Sequence, residues 1–419
     1  MRKRTGKRFY TEDTESSECA EKNGWEMREY QGDAKSASGG QNSMTRTIEE
    51  LIPDYIRGLP VYVPGRPIEE VERELKIHAV KLASNENPLG PSPRAVEAAK
   101  KALSDAHRYP DGGTHLLREA LAARTGVSTE EIFVGLGSSE IIDLASRVLL
   151  RAGLQGMTSY GSYAPFSVAI RASGAELVLV PQRNFAFDLN AIAKALTPQT
   201  RVIYLANPNN PTGTAFSVEE LENFVASVPE GVLVVLDEAY IHYAPSLNRR
   251  KSEEIYRKLK NLLILRTFSK VYGLAGMRIG FAIGQPGLLA AMNKLRTPFN
   301  TSGIAQAAAL AALDDREHVD RCISTNASER NRLSEGFIKL GLRPVPSETN
   351  FIFMEVGPEA KAICDELLHL GVIVRPLGWM GFPDAIRVSV GTAEENEKCL
   401  AAMGQILTKR AGKGQLAAR

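Results

Sequence analysis

Cysteine is scarce in this sequence: four in 419 residues, Cys19, Cys322, Cys364 and Cys399. They form no CxxC pair and no Cys/His cluster of metal-ligand spacing. That pattern excludes a disulfide-stapled secreted scaffold and a zinc module, and leaves free thiols in a reducing compartment as the expectation, with no bound metal. Long apolar runs are missing too, since none approaches the ~18 residues a membrane helix needs. Charge of one sign is not in excess either. With 51 Lys plus Arg against 49 Asp plus Glu the formal net charge is +2, which excludes a strongly basic nucleic-acid binder and an acidic disordered chain. The N-terminus starts basic, Arg2-Lys3-Arg4 and Lys7-Arg8, but no apolar stretch of a secretory signal follows. The acids Glu12, Asp13, Glu15, Glu18 and Glu21 argue against a transit peptide. The expectation is a cytoplasmic enzyme with no membrane and no nucleic-acid partner. At 43% hydrophobic residues it has enough apolar surface for a sizeable core and two domains.

Residues 1–43 are polar, mixed in charge and Gly/Ser-rich near Ser36–Gly40, and are expected to be a disordered extension. An amphipathic segment, Thr45 to Ile56, opens an N-terminal arm over 44–80. From residue 81 to 305, apolar runs alternate with helix-period stretches. The strand-like runs are Ile132–Gly135, Glu176–Pro181, Val202–Ala206, Val232–Leu236, Leu262–Leu265 and Ile279–Ile283. Strands buried on both faces and separated by helices predict an α/β large domain with a mostly parallel sheet flanked by helices. After Gln306 an Ala-rich helix passes into a long one, Arg316 to Leu340, followed by β-like runs at Phe351–Val356, Val372–Arg375 and Ile386–Val390. This predicts a smaller α+β domain over 306–410, with a flexible tail at 411–419.

Chemistry-bearing residues gather where apolar strands end. Arg266-Thr267-Phe268-Ser269-Lys270 leads into Gly273 and then Arg278, eight residues past the lysine. A lysine at a strand end beside hydroxyls, glycines and an arginine is either a surface cation or an activated amine next to an anion site. Leu236-Asp237-Glu238-Ala239-Tyr240 ends another strand. Its aspartate could cap a helix or hold Mg²⁺, although no GxxxxGK[ST] phosphate loop precedes it. Ala206-Asn207-Pro208-Asn209-Asn210-Pro211-Thr212-Gly213 is a rigid turn in its own right. In chain order the three strand ends offer Asn, Asp and Lys. That set suits a pyridine cofactor: a donor for a phenolic oxygen, an anion for a ring nitrogen and an imine-forming amine. Gly137-Ser138-Ser139, just before a helical run, adds free N–H groups and a positive dipole end for an anion.

Several further segments accompany these. They are Ser84-Asn85-Glu86-Asn87-Pro88, Arg108-Tyr109-Pro110, Gly135-Leu136-Gly137-Ser138-Ser139-Glu140, Ser347-Glu348-Thr349-Asn350-Phe351 and Arg387-Val388-Ser389-Val390-Gly391-Thr392. With them the chain, from about Leu82 to Thr392, resembles the pyridoxal-phosphate aminotransferases of fold type I, and within them the histidinol-phosphate branch. The resemblance implies a Schiff base on Lys270, which then serves as general base. Asp237 would pair with the pyridinium N–H⁺, Asn210 and Tyr240 would bond the phenolic oxygen, and Tyr163 would lie against the ring. Gly137, Ser138, Ser139, Ser269 and Arg278 would hold the phosphate, with Thr267 close by and Tyr109 reaching in from a partner subunit. Arg387 would bind the substrate carboxylate and Arg375 a substrate phosphate, with Tyr62 and Asn85 lining the pocket. The segment before Tyr163, Thr158 to Ser162, lacks the proline common there, which leaves that turn open.

The implied reaction is ping-pong amino transfer from L-histidinol phosphate to 2-oxoglutarate in a homodimer, with small-molecule substrates: a phosphorylated amino alcohol and glutamate/2-oxoglutarate. The alternatives are an aromatic amino-acid aminotransferase, a phospho-amino-acid decarboxylase of the same superfamily, and a non-catalytic cofactor-binding regulator. The last lacks room for a DNA-binding head in its leading 43 residues.

Overall fold

The computed structural model describes residues 47–59, 61 and 66–417, with side chains as far as 411. The expected disordered extension and Tyr62 lie outside the described residues. The chain separates into two units, Met1–Ile52 and Pro53–Arg419. In the first, Thr47 caps a single turn, Ile48–Leu51, reciprocally with Glu50. In the second, a further turn, Asp54–Arg57, begins directly after Pro53. Where the amphipathic stretch Thr45 to Ile56 was expected, the described residues hold one short turn in each unit. Among the described residues no helix is long and apolar enough to cross a membrane. Cys322, Cys364 and Cys399 are free and buried.

The strands, in chain order, are β1 (Val80–Lys81), β2 (Ile132–Gly135), β3 (Gln155–Ser159), β4 (Glu176–Val180), β5 (Thr200–Ala206), β6 (Leu233–Asp237), β7 (Leu262–Thr267), β8 (Gly280–Ile283), β9 (Arg343–Pro344), β10 (Phe351–Glu355), β11 (Val372–Ile373), β12 (Arg375–Pro376) and β13 (Ala385–Ser389). Seven of them form one sheet in the order β2-β8-β7-β6-β5-β3-β4, in which β8 alone runs against its neighbours. All six residues of β7, Leu262 to Thr267, are buried, as a strand covered on both faces requires. Helices cover the sheet. Ser138–Leu149 turns Ile141, Ile142, Leu144 and Ala145 inward, the i, i+1, i+3, i+4 face of one helix. Pro93–Ala102 starts on a Ser92 cap with proline at its first position. The Ala-rich helix Gly303–Leu313 puts Ala305, Ala308, Ala309 and Ala312 into the same core.

A second core joins Val80 and Leu82 to Leu333 and Phe337 of the long helix Arg316–Lys339, to Ile352, Met354, Ile386 and Val388, and to Met403 of the C-terminal helix Ala393–Ala417. Its sheet is antiparallel, β12-β13-β10-β9, and β1 pairs in parallel with β11. The segment after β1 runs between the two, since Leu82 N–H donates to Ile373 and its carbonyl accepts from Ser389 N–H. That pairing carries Ser84 and Asn85 towards the large sheet. A small third cluster, Tyr240, Tyr243, Val271, Cys322 and Phe351, joins the two cores at that point.

Candidate active site

Register decides which strand ends meet. Ala206 pairs with Asp237, Asp237 with Leu265, and Thr267 with Gly280, which in turn pairs with Gly135. The carboxyl ends of β2, β5, β6 and β7 therefore present the glycine turn, the Asn-Pro turn, Asp237 and Thr267 along one rim, the position where open α/β sheets bind ligands. A cavity of about 510 Å³ opens there between the two sheets. Its walls include Asn85, Gly137, Ser138, Ser139, Tyr163, Asn210, Asp237, Tyr240, Thr267, Ser269, Lys270, Arg278, Arg375 and Arg387. Tyr109 does not line it. That side chain is 83% exposed and stacks on Phe299 with ring centroids 4.7 Å apart.

Lys270 Nζ donates to the carbonyl of Asn85 at 3.1 Å and lies 5.4 Å from the Tyr240 ring centre. Burial, followed by the nearby Arg387, lowers its pKa to about 8, against the opposing pull of Glu86 and Asp237. Asp237 is 4% exposed, and its Oδ1 accepts the Ala239 N–H at 2.9 Å. Burial raises its pKa to about 7, although that hydrogen bond and Lys270 act the other way. Tyr240 is also buried, and its hydroxyl accepts Asn85 Nδ2 at 2.9 Å; burial pushes its pKa up to about 12.

Asn85 sits in the left-handed region, at φ 53°, and is held at both ends by Ser389. Its backbone N–H donates to Ser389 Oγ at 2.8 Å and its Oδ1 accepts from the same hydroxyl at 3.0 Å. Asn350 Nδ2 donates to the Asn85 carbonyl at 3.1 Å. The loop that positions the lysine is itself fixed by Gly273. At φ 67° a Cβ there would lie 2.2 Å from the Gly90 carbonyl oxygen, so only glycine lets the two segments touch.

The anion side of the cavity is the start of helix Ser138–Leu149, with Gly137 at φ 75° before it. A Cβ on Gly137 would sit 3.1 Å from an Arg278 guanidinium nitrogen, so the arginine lies directly against the glycine turn. Ser139 Oγ is 3.2 Å from the Tyr163 hydroxyl, and Thr267 Oγ1 donates to Ser269 Oγ at 3.0 Å. On the far wall Arg387 donates to Asn210 Oδ1 and to the Ala83 carbonyl. Peptide bonds 207–208 and 210–211, both before proline, are cis.

Behind the rim, Arg266 is buried among Glu238 and Glu253, donating at 2.9 and 2.6 Å, and to the Arg249 carbonyl at 2.9 Å. This ties Asp237's neighbour to β7, which ends three residues before Lys270. No sequence pattern marks that network, nor Trp379, as part of the site. Glu86, Asn350 and Ser389 fall within motif segments whose sequence gives those three residues no role of their own.

An amine of lowered pKa facing a buried acid, beside a helix-end anion cradle, defines a cofactor-dependent enzyme of the α/β class. The chain belongs to the class I and II aminotransferases, whose family model matches residues 77–403. It is 46% identical over 360 residues to a histidinol-phosphate aminotransferase from Anaeromyxobacter sp. (strain Fw109-5), covering 85% of this chain and 99% of the relative. The fold superposes on the crystal structure of histidinol-phosphate aminotransferase from Sinorhizobium meliloti in complex with pyridoxal-5'-phosphate. That match has a TM-score of 0.79 and 32% identity, covering 88% of this chain and all of that one. A Thermus thermophilus aspartate aminotransferase double mutant matches at TM-score 0.74 and 25% identity, covering 85% and 99%. The fold is that of the type I aminotransferases.

Proposed function

We propose that this chain transfers the amino group of L-histidinol phosphate to 2-oxoglutarate, giving imidazole-acetol phosphate and L-glutamate, as a cytoplasmic enzyme of histidine biosynthesis. The observation that carries the reading is Lys270 and Asp237 in one cavity with two buried arginines, Arg375 and Arg387, on its opposite wall. The relatives' names agree with it.

The residues fit pyridoxal phosphate. The cavity is of cofactor-plus-substrate size, and the Gly137 turn, Ser138, Ser139, Ser269 and Arg278 make an anion cradle. Asp237, buried with its pKa raised to about 7, is a carboxylate that lacks a cationic partner strong enough to keep it ionised. A protonated ring nitrogen supplies one. When bound, the cofactor supplies the carbonyl carbon that takes up the amino group and the ring that accepts electrons.

Lys270 holds the cofactor, and with a pKa of about 8 its Nζ exists partly as free base near neutral pH and can take or return a proton. Asp237 keeps the ring nitrogen protonated. Asn210 and Tyr240 would donate to the phenolic oxygen, with Asn85 orienting the Tyr240 hydroxyl. Tyr163 would cover the ring, and Thr267 supports Ser269. Arg387 takes the carboxylate of the keto acid and Arg375 the phosphate of the amino donor. The family resemblance assigns Tyr62 to the same pocket. Tyr109, exposed on its own subunit, serves the site of a second copy, so the enzyme is a homodimer.

The test is turnover of histidinol phosphate against phenylalanine with 2-oxoglutarate, together with Lys270→Ala. Preference for the phosphorylated donor, abolished in the variant, is expected. Equal or better use of phenylalanine would replace the substrate assignment.

A further inference from the structure

With the cofactor placed as proposed above, Tyr240 has to donate its hydroxyl proton into the cavity, and the inference here rests on that reading. A tyrosine hydroxyl carries one proton and accepts as readily as it donates. Burial, which raises its pKa to about 12, keeps that proton on Tyr240. Its direction is decided by the neighbour on the protein side, the Asn85 amide 2.9 Å away. An amide offers a donor and an acceptor of nearly the same shape, so the surroundings must fix which of them faces the tyrosine.

Ser389 does so. Asn85 and Ser389 are 1% and 3% exposed, so their polar atoms need partners within the protein. The Asn85 backbone N–H, which can only donate, is given to Ser389 Oγ at 2.8 Å. The serine proton then goes to Asn85 Oδ1 at 3.0 Å. With Oδ1 engaged there, Nδ2 faces Tyr240 and donates to its oxygen. Turning the amide over would aim Nδ2 at Ser389 and leave the buried serine proton with no acceptor among the described residues, which is costly. The tyrosine ring is held from the same place. Phe351 lies opposite Ser389 across β10 and β13 and meets the Tyr240 ring edge-on, centroids 5.2 Å apart. One register pair of the small sheet thus holds the ring and, through Asn85, the hydroxyl.

We propose that Asn85 and Ser389 are positioning residues that set the direction of the hydrogen bonds at Tyr240. Ser389 locks the Asn85 amide with its donor side towards the tyrosine, so Tyr240 accepts from Asn85 and its own proton goes to the phenolic oxygen in the cavity. A donor at that oxygen stabilises its anionic form and loosens its hold on a neighbouring proton. In the cofactor-linked enzyme the proton on Lys270 Nζ is thereby released at lower pH than it would be beside an acceptor.

The experiment uses the holoenzyme and reads the pH midpoint at which the absorbance of the Lys270-linked cofactor changes. Asn85→Asp turns the partner of Tyr240 into an acceptor and tolerates the left-handed backbone at this position. Its midpoint should rise by about one pH unit, the worth of one hydrogen bond to a charged group. Asn85→Gly keeps the backbone and leaves the hydroxyl free to donate as before, so its midpoint should stay within about 0.3 units of the parent. A merely structural contact would move both variants alike. Ser389→Ala adds no charge and frees the amide to turn. It should raise the midpoint by about half a unit, and leave it unmoved in a Tyr240→Phe background. Equal shifts in Asn85→Asp and Asn85→Gly, or a Ser389→Ala shift that survives in Tyr240→Phe, overturn the inference and leave the proposed reaction standing. A parent protein that forms no Lys270-linked band with pyridoxal phosphate overturns both.

Discussion

Replacing Asp237 by asparagine should stabilise the cofactor-free protein while disabling the enzyme, and the gain should grow with pH. The carboxyl titrates near 7 in the fold and near 3.8 when exposed. A group whose pKa is raised by folding contributes stability at low pH and loses it as pH rises through the folded value. Between pH 5 and pH 8 the unfolded chain is already ionised, whereas the folded chain must give up its proton at about pH 7. The interval of roughly two units at 1.36 kcal/mol each comes to about 3 kcal/mol. An asparagine side chain does not titrate, so Asp237→Asn should gain about that much over the parent across this range. Urea unfolding of both cofactor-free proteins at pH 5, 6, 7 and 8 measures it. A Lys270→Met background makes a second comparison. Removing the ammonium removes an interaction that lowers the Asp237 pKa, so the loss should continue to higher pH. Adding pyridoxal phosphate should reverse the order, stabilising the parent more than the variant. A stability difference that is flat from pH 5 to 8, or that shrinks, would refute the claim that burial of this acid is what the bound cofactor relieves.

Arg278→Ala should raise the cofactor dissociation constant about 10- to 100-fold, the loss of one charge-assisted hydrogen bond, as read by absorbance titration. Glu253→Ala removes one of the two buried carboxylates on Arg266 and leaves Glu238 to balance its charge. It should cost about 1.5–3 kcal/mol in urea unfolding, the loss of one hydrogen bond to a charged group, and a loss under about 0.5 kcal/mol would show the contact to be slack. Gly273→Ala pushes a methyl into the Gly90 carbonyl. Because Asn85 lies on the displaced segment, activity should fall further than the melting temperature does.

The parallel sheet and its rim were legible because their signals are local. β5, β6 and β7 each hold an unbroken apolar run, Val202–Ala206, Leu233–Leu236 and Leu262–Leu265, and Asn210, Asp237 and Lys270 come after those runs, so parallel pairing alone brings the three together. β3 escaped notice because Gln155-Gly156-Met157-Thr158-Ser159 is not apolar. It is buried with Thr158 donating to the Tyr204 carbonyl at 2.9 Å and with Ile170 packed against Gly156. Helix Arg249–Lys258 was hidden for a related reason. Its inward face includes Ser252 and Glu253, which satisfy Arg266, so its buried side does not read as hydrophobic.

The small-sheet side of the cavity follows a different logic, and it explains why Arg387 and Arg375 could be named while Trp379 could not. Residues 375 and 387 are equidistant from Gly381, and an antiparallel pairing about that turn sets arginine opposite arginine. A slip of one residue on either strand would send one guanidinium to the opposite face. The turn therefore fixes the register on which the two proposed substrate contacts depend. Gly381 meets Tyr160 and Phe382 meets Gly161, contacts that join residues more than 200 positions apart and that no periodicity encodes. A site assembled by one sheet can be read from strand ends. The share contributed by the second sheet is read only once the two are docked, and for that reason Trp379 emerges from the packing and not from the sequence.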